Sequence, residues 1–208
     1  MLSRTARSRR PPGPVRIRRH SVTLAVCSVL LLGGCGKDDS QAVGGEEQAR
    51  QTEAQTEAIY VPIGGLKYQV QISRILRPYT AEDEAYLEGV AGGPESVPPG
   101  QVWFGVFIRV ENDSGESHRS TADLSLTDSE GKRYRPVALP SDSNPFAYAP
   151  TQLGPGGLLP EPDTPPGQGT IKGLLVLFRI TVQSLQNRPL TLRLGEDVGN
   201  PGSIELDV

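Results

Sequence analysis

The chain has 208 residues, 36% of them apolar, with 24 acids, 21 basic residues, two cysteines and two histidines. That length suits one domain of ordinary size with flanking segments. The charges are unevenly placed, because seven arginines and no acid fall within residues 1–34, so residues 35–208 carry a formal charge of −10. An acidic body of this kind excludes nucleic acid as a partner and a polybasic grip on anionic lipid, both of which need clustered Lys and Arg.

The arginines at the start (Arg4, Arg7, Arg9, Arg10, Arg16, Arg18, Arg19) form a cationic segment of the kind retained on the cytoplasmic side of a membrane. Ser21 to Leu32 follows as an apolar run of 12 residues, short of the roughly 20 that span a bilayer as a helix. The two together read as a cleaved export signal. Small residues at Gly33 and Gly34 allow an extended approach to a peptidase, and Cys35 offers a thiol for acylation.

Leu-Gly-Gly-Cys resembles the lipobox of bacterial lipoproteins. The resemblance implies diacylglyceryl transfer to Cys35, cleavage between Gly34 and Cys35, and a palmitate-type anchor. The exported chain is then expected on the outer face of the cytoplasmic membrane. Each acyl chain contributes about 0.8 kcal/mol per buried CH2, which makes a doubly acylated cysteine a stable anchor. Arg9-Arg10 and Arg18-Arg19 lack the consensus that follows a twin-arginine signal, and the export route stays open, as does the acyl count.

The expected division is a lipoprotein signal over 1–34, a lipidated cysteine with a flexible acidic tether over 35–58, and a folded domain over 59–208. With Cys27 removed and Cys35 acylated, no internal disulfide is available. Only His118 remains as a histidine beyond the signal, so no transition-metal site built on His, Cys or Met, and no cofactor, is expected. The tether, including Gln51-Thr52-Glu53-Ala54 and its repeat Gln55 to Ala58, has almost no large apolar residue to offset the entropy of ordering. A short helix over Glu46 to Ala58 is the one alternative, with nothing to pack on.

Strict alternation over Leu66 to Ser73 predicts a strand with one wet face. Glu82 to Leu87 reads as a weak strand or loop, followed by breakers at Gly92-Gly93-Pro94 and Pro98-Pro99-Gly100. Val102 to Glu111 is apolar on both parities and predicts a central strand, with Phe104, Val106, Ile108 and Val110 on one side and Trp103 and Phe107 on the other. Asn112-Asp113-Ser114-Gly115 predicts a turn. Ala122, Leu124 and Leu126 alternate into a hairpin at Asp128-Ser129-Glu130-Gly131.

Residues 138–169 hold eight prolines and read as one long connection without regular structure. Strands resume at Ile171 to Thr181, Leu190 to Leu194 and Ile204 to Val208. The expectation is an all-β, antiparallel β-sandwich of about seven or eight strands.

Phe104 to Asn112, Leu126 to Tyr134, Gly173 to Phe178 and Asn187 to Leu192 together resemble the immunoglobulin-like domain-of-unknown-function family of bacterial lipoproteins. That family is similar in fold to a mycobacterial immunoprotective extracellular antigen. The resemblance spans about Tyr60 to Val208, implies an immunoglobulin-like sandwich and brings no catalytic residue. The Pro-rich insertion and the lack of a cysteine pair depart from many such domains and leave the strand order open.

No nucleophile elbow, phosphate-cradling loop or paired-cysteine motif is present. His118 reads as an exposed loop residue, and Glu82-Asp83-Glu84 with Glu88, and Asp113 with Glu116, as solvated charge. Phe146 and Tyr148, on the stiff Pro-rich segment, are the candidate binding loop, with packing against the sheet as the other reading. The expected function is a non-enzymatic interaction module for an envelope component or protein partner. An envelope-polymer hydrolase using a carboxylate pair is the alternative.

Overall fold

A computed structural model describes Glu53–Ala54 and residues 56–208. In chain order the elements are β1 (Glu53–Ala54), β2 (Val61–Ile63), β3 (Leu66–Leu76), α1 (Ala81–Tyr86) and β4 (Gln101–Glu111). Next come β5 (His118–Arg119), β6 (Leu124–Thr127), β7 (Arg133–Tyr134), β8 (Gln152–Leu153) and β9 (Leu158–Leu159). The chain ends with α2 (Pro165–Gln168), β10 (Leu174–Thr181), β11 (Leu190–Leu194) and β12 (Gly202–Leu206). Seven strands have three or more residues, and all but β2 fall where the sequence shows alternation or a run apolar on both parities.

One sheet runs β1-β12-β11-β6-β7, the other β10-β4-β3-β2 with β9 beside the end of β4, and β5 pairs with β8 separately. All pairings are antiparallel except β1 on β12. The protein is an all-β sandwich. Leu124, Leu126, Leu190, Leu192, Leu194, Ile204 and Leu206 from one sheet meet Tyr68, Val70, Phe104, Val106, Ile108, Phe178 and Ile180 from the other in a continuous core. Alternate residues of β6, β11 and β12 therefore face inward, as their period of two requires.

β4 and β10 are buried on their second face as well. Trp103, Phe107, Leu175 and Leu177 point away from the sandwich core into a smaller cluster with Leu76, Leu87 and Val90. A β-bulge between Val70 and Ile72 shifts the parity of β3. Leu66, Tyr68 and Val70 thus belong to the main core, whereas Ile72 and Leu76 face the second cluster. Alternation over Leu66 to Ser73 had placed Ile72 on the same face as Leu66, Tyr68 and Val70.

The second cluster is roofed by α1, the loop after it and the start of the Pro-rich segment, contributing Tyr86, Val97, Val137, Leu139 and Phe146. The weak strand or loop read at Glu82 to Leu87 is in fact the helix α1. Its acids Glu82, Asp83 and Glu84 sit in the first turn, where the helix dipole favours negative charge.

Residues 138–169 also differ from expectation, since they hold β8, β9 and α2 and run along the edge of β10. The backbone N–H groups of Val137 and Tyr148 donate to the carbonyls of Leu177 and Leu175, at 2.7 and 2.9 Å. An uncovered edge of β10 needed such partners, and these loops supply them.

The chain enters the fold before residue 59. β1 pairs with β12 at Ser203 and Ile204, Thr56 Oγ1 donates to Asp207 Oδ2 at 2.7 Å, and Ala58 N–H donates to Val70 O at 2.8 Å. The end of the expected tether is thus a strap between the edges of the two sheets. Main-chain pairing needs no apolar side chain, which is why composition gave no sign of it. Ala58, at the corner, has φ 65°, the one non-glycine residue with positive φ among the described residues. That conformation costs an L-residue about 1–2 kcal/mol.

Asn112 fixes the opposite end of β4. Its buried Nδ2 donates to the carbonyls of Glu116, Leu153 and Gly154 at 2.7–2.9 Å, and its Oδ1 accepts from the N–H and hydroxyl of Ser114. Asn112→Ala strips partners from all of these groups in a water-poor site. It is expected to cost about 2–4 kcal/mol in urea unfolding, with an unchanged m-value.

Candidate functional site

Gly34 and Cys35, the expected cleavage and lipidation residues, lie outside the described residues. Phe146 and Tyr148 are described, and both rings are half-buried against the fold. Phe146 meets the Tyr86 ring edge-on at 4.8 Å, and Tyr148 Oη donates to Thr121 O at 2.7 Å. Burial pushes the Tyr148 phenol well above its usual range. Pinned on both sides of the Ala147 bridge to Leu175, the two rings cover β10 and are not presented on a free loop.

His118 is half-buried in β5 and opposite Leu153, with its imidazole against Gly65 in the turn between β2 and β3. That turn has two glycines at positive φ, Gly64 and Gly65, the geometry of a two-residue hairpin. A side chain at Gly65 would collide with the imidazole, so His118 has a packing role here.

The acidic groups separate. Asp113, exposed, pairs with Lys67 at 2.5 Å, and the hydrogen bond from that ammonium group holds its carboxyl below the usual range. Asp83 is buried. Its Oδ2 accepts the N–H of Arg77 at 2.8 Å and its Oδ1 lies 2.6 Å from Arg74 Nη2. Burial alone would raise the Asp83 pKa, but the Arg77 N–H and the Arg74 guanidinium outweigh it and hold the carboxyl low. Glu82 reaches the same guanidinium at 3.3 Å, and Arg74 also lies 5.7 Å from the Tyr86 ring centre.

This Arg74–Asp83 pair lines the first of two adjoining clefts, of about 530 and 400 Å3, which share Ile75, Arg77 and Thr80. The first is lined by Ser73, Arg74, Glu82 and Asp83 together with Ile75 and Val208. The second is apolar, with Leu76, Val97, Val102 and Trp103 on its walls and Pro78 and Tyr79 at its mouth. Tyr79 is 81% exposed and Ile75 37% exposed, a pairing of large apolar side chains held out in water. Trp103 is nearly buried, its Nε1 donating to Pro94 O at 2.6 Å.

The arrangement offers a stacking ring, an apolar recess and guanidinium groups at its edge, the elements of a recognition site. Among the described residues no group of three or more His, Cys, Asp or Glu converges as metal ligands, and no helix is long and apolar enough to cross a membrane. Sequence reading passed over Arg74, Ile75, Arg77 and Tyr79. The available signal was Ile75-Leu76, an apolar pair running into Arg77-Pro78-Tyr79, where a strand ends with a large ring beyond it.

No protein-family model matches the chain, and no curated protein matches its sequence. Among solved structures it is similar to the yjhA protein of Bacillus subtilis, at 10% identity and TM-score 0.43, covering 74% of this chain and 99% of that one. It is also similar to ycdA of Bacillus subtilis subsp. subtilis str. 168, described as a candidate lipoprotein, at 8% identity and TM-score 0.42. That match covers 71% of this chain and 38% of the ycdA chain. A third likeness is to the uncharacterised β-sandwich protein CD630_09570 of Clostridium difficile 630, at 10% identity and TM-score 0.38, over 74% of this chain and 95% of that one.

Because the Asp83 pKa is lower folded than unfolded, its contribution to stability is complete above the unfolded value of about 3.9 and fades as pH falls through the folded value. Asp83→Asn is therefore expected to cost about 2 kcal/mol at pH 7. In urea unfolding followed across pH, the gap between variant and parent narrows as pH falls through the lowered folded-state pKa of Asp83.

Proposed function

We propose that this chain is an exported, lipid-anchored envelope protein whose β-sandwich is a non-enzymatic binding module, and that the paired clefts beside Tyr79 are its recognition site. The observation that carries the reading is the combination of an almost fully exposed Tyr79 with the apolar recess behind it. A folded domain gains nothing in stability from a ring held in water, whereas a ring at the mouth of an apolar cleft contributes strongly to a partner's binding. The partner is an envelope component or another envelope protein.

The membrane anchor in this reading is the acylated Cys35, with cleavage after Gly34. The segment from Cys35 to the strap keeps the domain attached while letting it sample its surroundings. Cleft and anchor together give a high local concentration of the module near envelope partners.

Carboxylate-pair hydrolysis gains no specific support. A general acid in such a reaction needs a raised pKa. Asp83 and Asp113, one from each acidic group read in the sequence, are both held low, Asp83 by the Arg77 backbone N–H and the Arg74 guanidinium and Asp113 by the Lys67 ammonium.

A photo-crosslinking amino acid at position 79, in intact cells, is expected to capture one discrete partner that a probe at exposed Arg193 does not. Tyr79→Ala should weaken recovery of that partner at least tenfold. Equal and diffuse labelling from both positions would remove the cleft as the binding site. Cys35→Ser should move the protein from the membrane to the soluble fraction and abolish palmitate labelling. A variant that stays membrane-bound would refute the anchor.

A further inference from the structure

We propose that the outer edge of β3 at Ser73 to Ile75 takes an extended peptide segment of a partner protein as an added strand. Which main-chain groups face that edge follows from the register. The edge strand β10 turns Leu175 and Leu177 outward, to Phe146, Tyr148 and Val137. Their neighbours in β4, Phe107 and Gly105, therefore bond toward β3, where they sit opposite Ile72 and Arg74. Ser73 and Ile75 turn their main-chain groups the other way, out of the sheet.

β2 covers that outer edge only from Leu66 to Tyr68. Ala58 N–H then meets the carbonyl of Val70, Glu57 sets its carboxylate on Ser73, and the carboxylate of Asp83 takes the N–H of Arg77. Between these two carboxylates, the carbonyl of Ser73 and both main-chain groups of Ile75 have no partner among the described residues. The cleft of about 530 Å3 lies along this stretch, with Thr80, Glu82 and Asp83 on its far wall. An acceptor, a donor and an acceptor at strand spacing are complemented by another main chain, and neither a sugar nor an acyl chain offers that repeat.

Side chains add to the match. Ile75 is 37% exposed and Val208 lines the same cleft, so a residue set opposite Ile75 packs an apolar side chain there. Arg77 is exposed and enters no ion pair among the described residues, which favours an acid in the partner segment. The segment therefore alternates apolar and polar residues and carries a carboxylate. Glu57 and Asp83 keep the open window short, which guards the edge against indiscriminate sheet pairing. Strand addition rests on the reading of these clefts as the recognition site, and it narrows the partner to a protein.

The test uses the full chain, isotopically labelled and purified from its membrane in detergent, with a peptide of alternating threonine and valine that ends in glutamate. Its fully N-methylated analogue keeps the side chains and lacks main-chain donors. The first peptide is expected to slow hydrogen exchange of the Ile75 amide about tenfold at saturation, and the analogue to leave it unchanged. Ile75→Pro removes the outward donor while sparing the bonds to β4, and should weaken the peptide about tenfold, whereas Ile75→Val should bind it as the parent does. An Ile75 amide indifferent to the peptide, or equally protected by the analogue, would overturn the proposal whether or not Ile75→Pro folds. A partner captured from position 79 in cells beside an unprotected Ile75 would leave the recognition site standing and remove strand addition. Protection of Ile75 without capture at 79 would support the edge and remove Tyr79 from recognition.

Discussion

A strand that is apolar on both parities has to be covered twice, and the architecture follows from that requirement. β4 carries Phe104, Val106, Ile108 and Val110 toward one side and Trp103 and Phe107 toward the other, with β10 matching it in register from Leu174 to Thr181. Fully burying each such side chain contributes about 1.5–3 kcal/mol. One face is met by the Leu- and Ile-rich sheet of β6, β11 and β12. The other face could not be left wet, and the helix α1 with the start of the Pro-rich segment is what closes it. Gly105 and Gly173 permit that closeness, because a Cβ at Gly105 would press on Leu76 and Leu175, and one at Gly173 on the backbone at Phe107.

Buried polar side chains organise the connections in a domain without cysteine pairs. Asn144 donates to the carbonyls of Tyr86 and Glu88 and accepts from Phe146 N–H, so it joins the Pro-rich cover to the end of α1. Thr121 is held through its N–H by Tyr68, through its carbonyl by Tyr148 and through its hydroxyl by Asp197. Burial first of all keeps the Tyr68 phenol protonated, pushed up to about 12. Each of these groups is costly to bury alone and stabilising once satisfied, so loops that look irregular in sequence have single conformations.

Strands with one dry face were legible because their period is two: Leu124 and Leu126, Leu190 to Leu194, and Ile204 and Leu206 fall where alternation puts them. The doubly apolar run of β4 also announced a central strand. The roof over Trp103 was not legible, since α1 is six residues, half of them acidic, stabilised by one buried carboxylate on Arg74 and Arg77. The bulge in β3 left no mark either, because Val70 and Ile72 keep alternating in the sequence while the backbone turns one of them over. The strap was hidden for a related reason, as its hold is largely backbone and hydroxyl. The candidate site escaped detection because a strand end, a proline and an exposed Tyr79 acquire meaning only once Trp103 and Val97 are seen to form a recess behind them.

Placing recognition at this end of the sandwich makes Trp103, the only tryptophan of the chain, a built-in reporter. The most direct measurement is its fluorescence emission as solubilised envelope fractions are added to the purified domain. The account predicts a saturable change in emission that Tyr79→Ala removes without altering the starting spectrum. Envelope material that binds the protein while leaving Trp103 emission unchanged would contradict it, and would move recognition to another face of the sandwich.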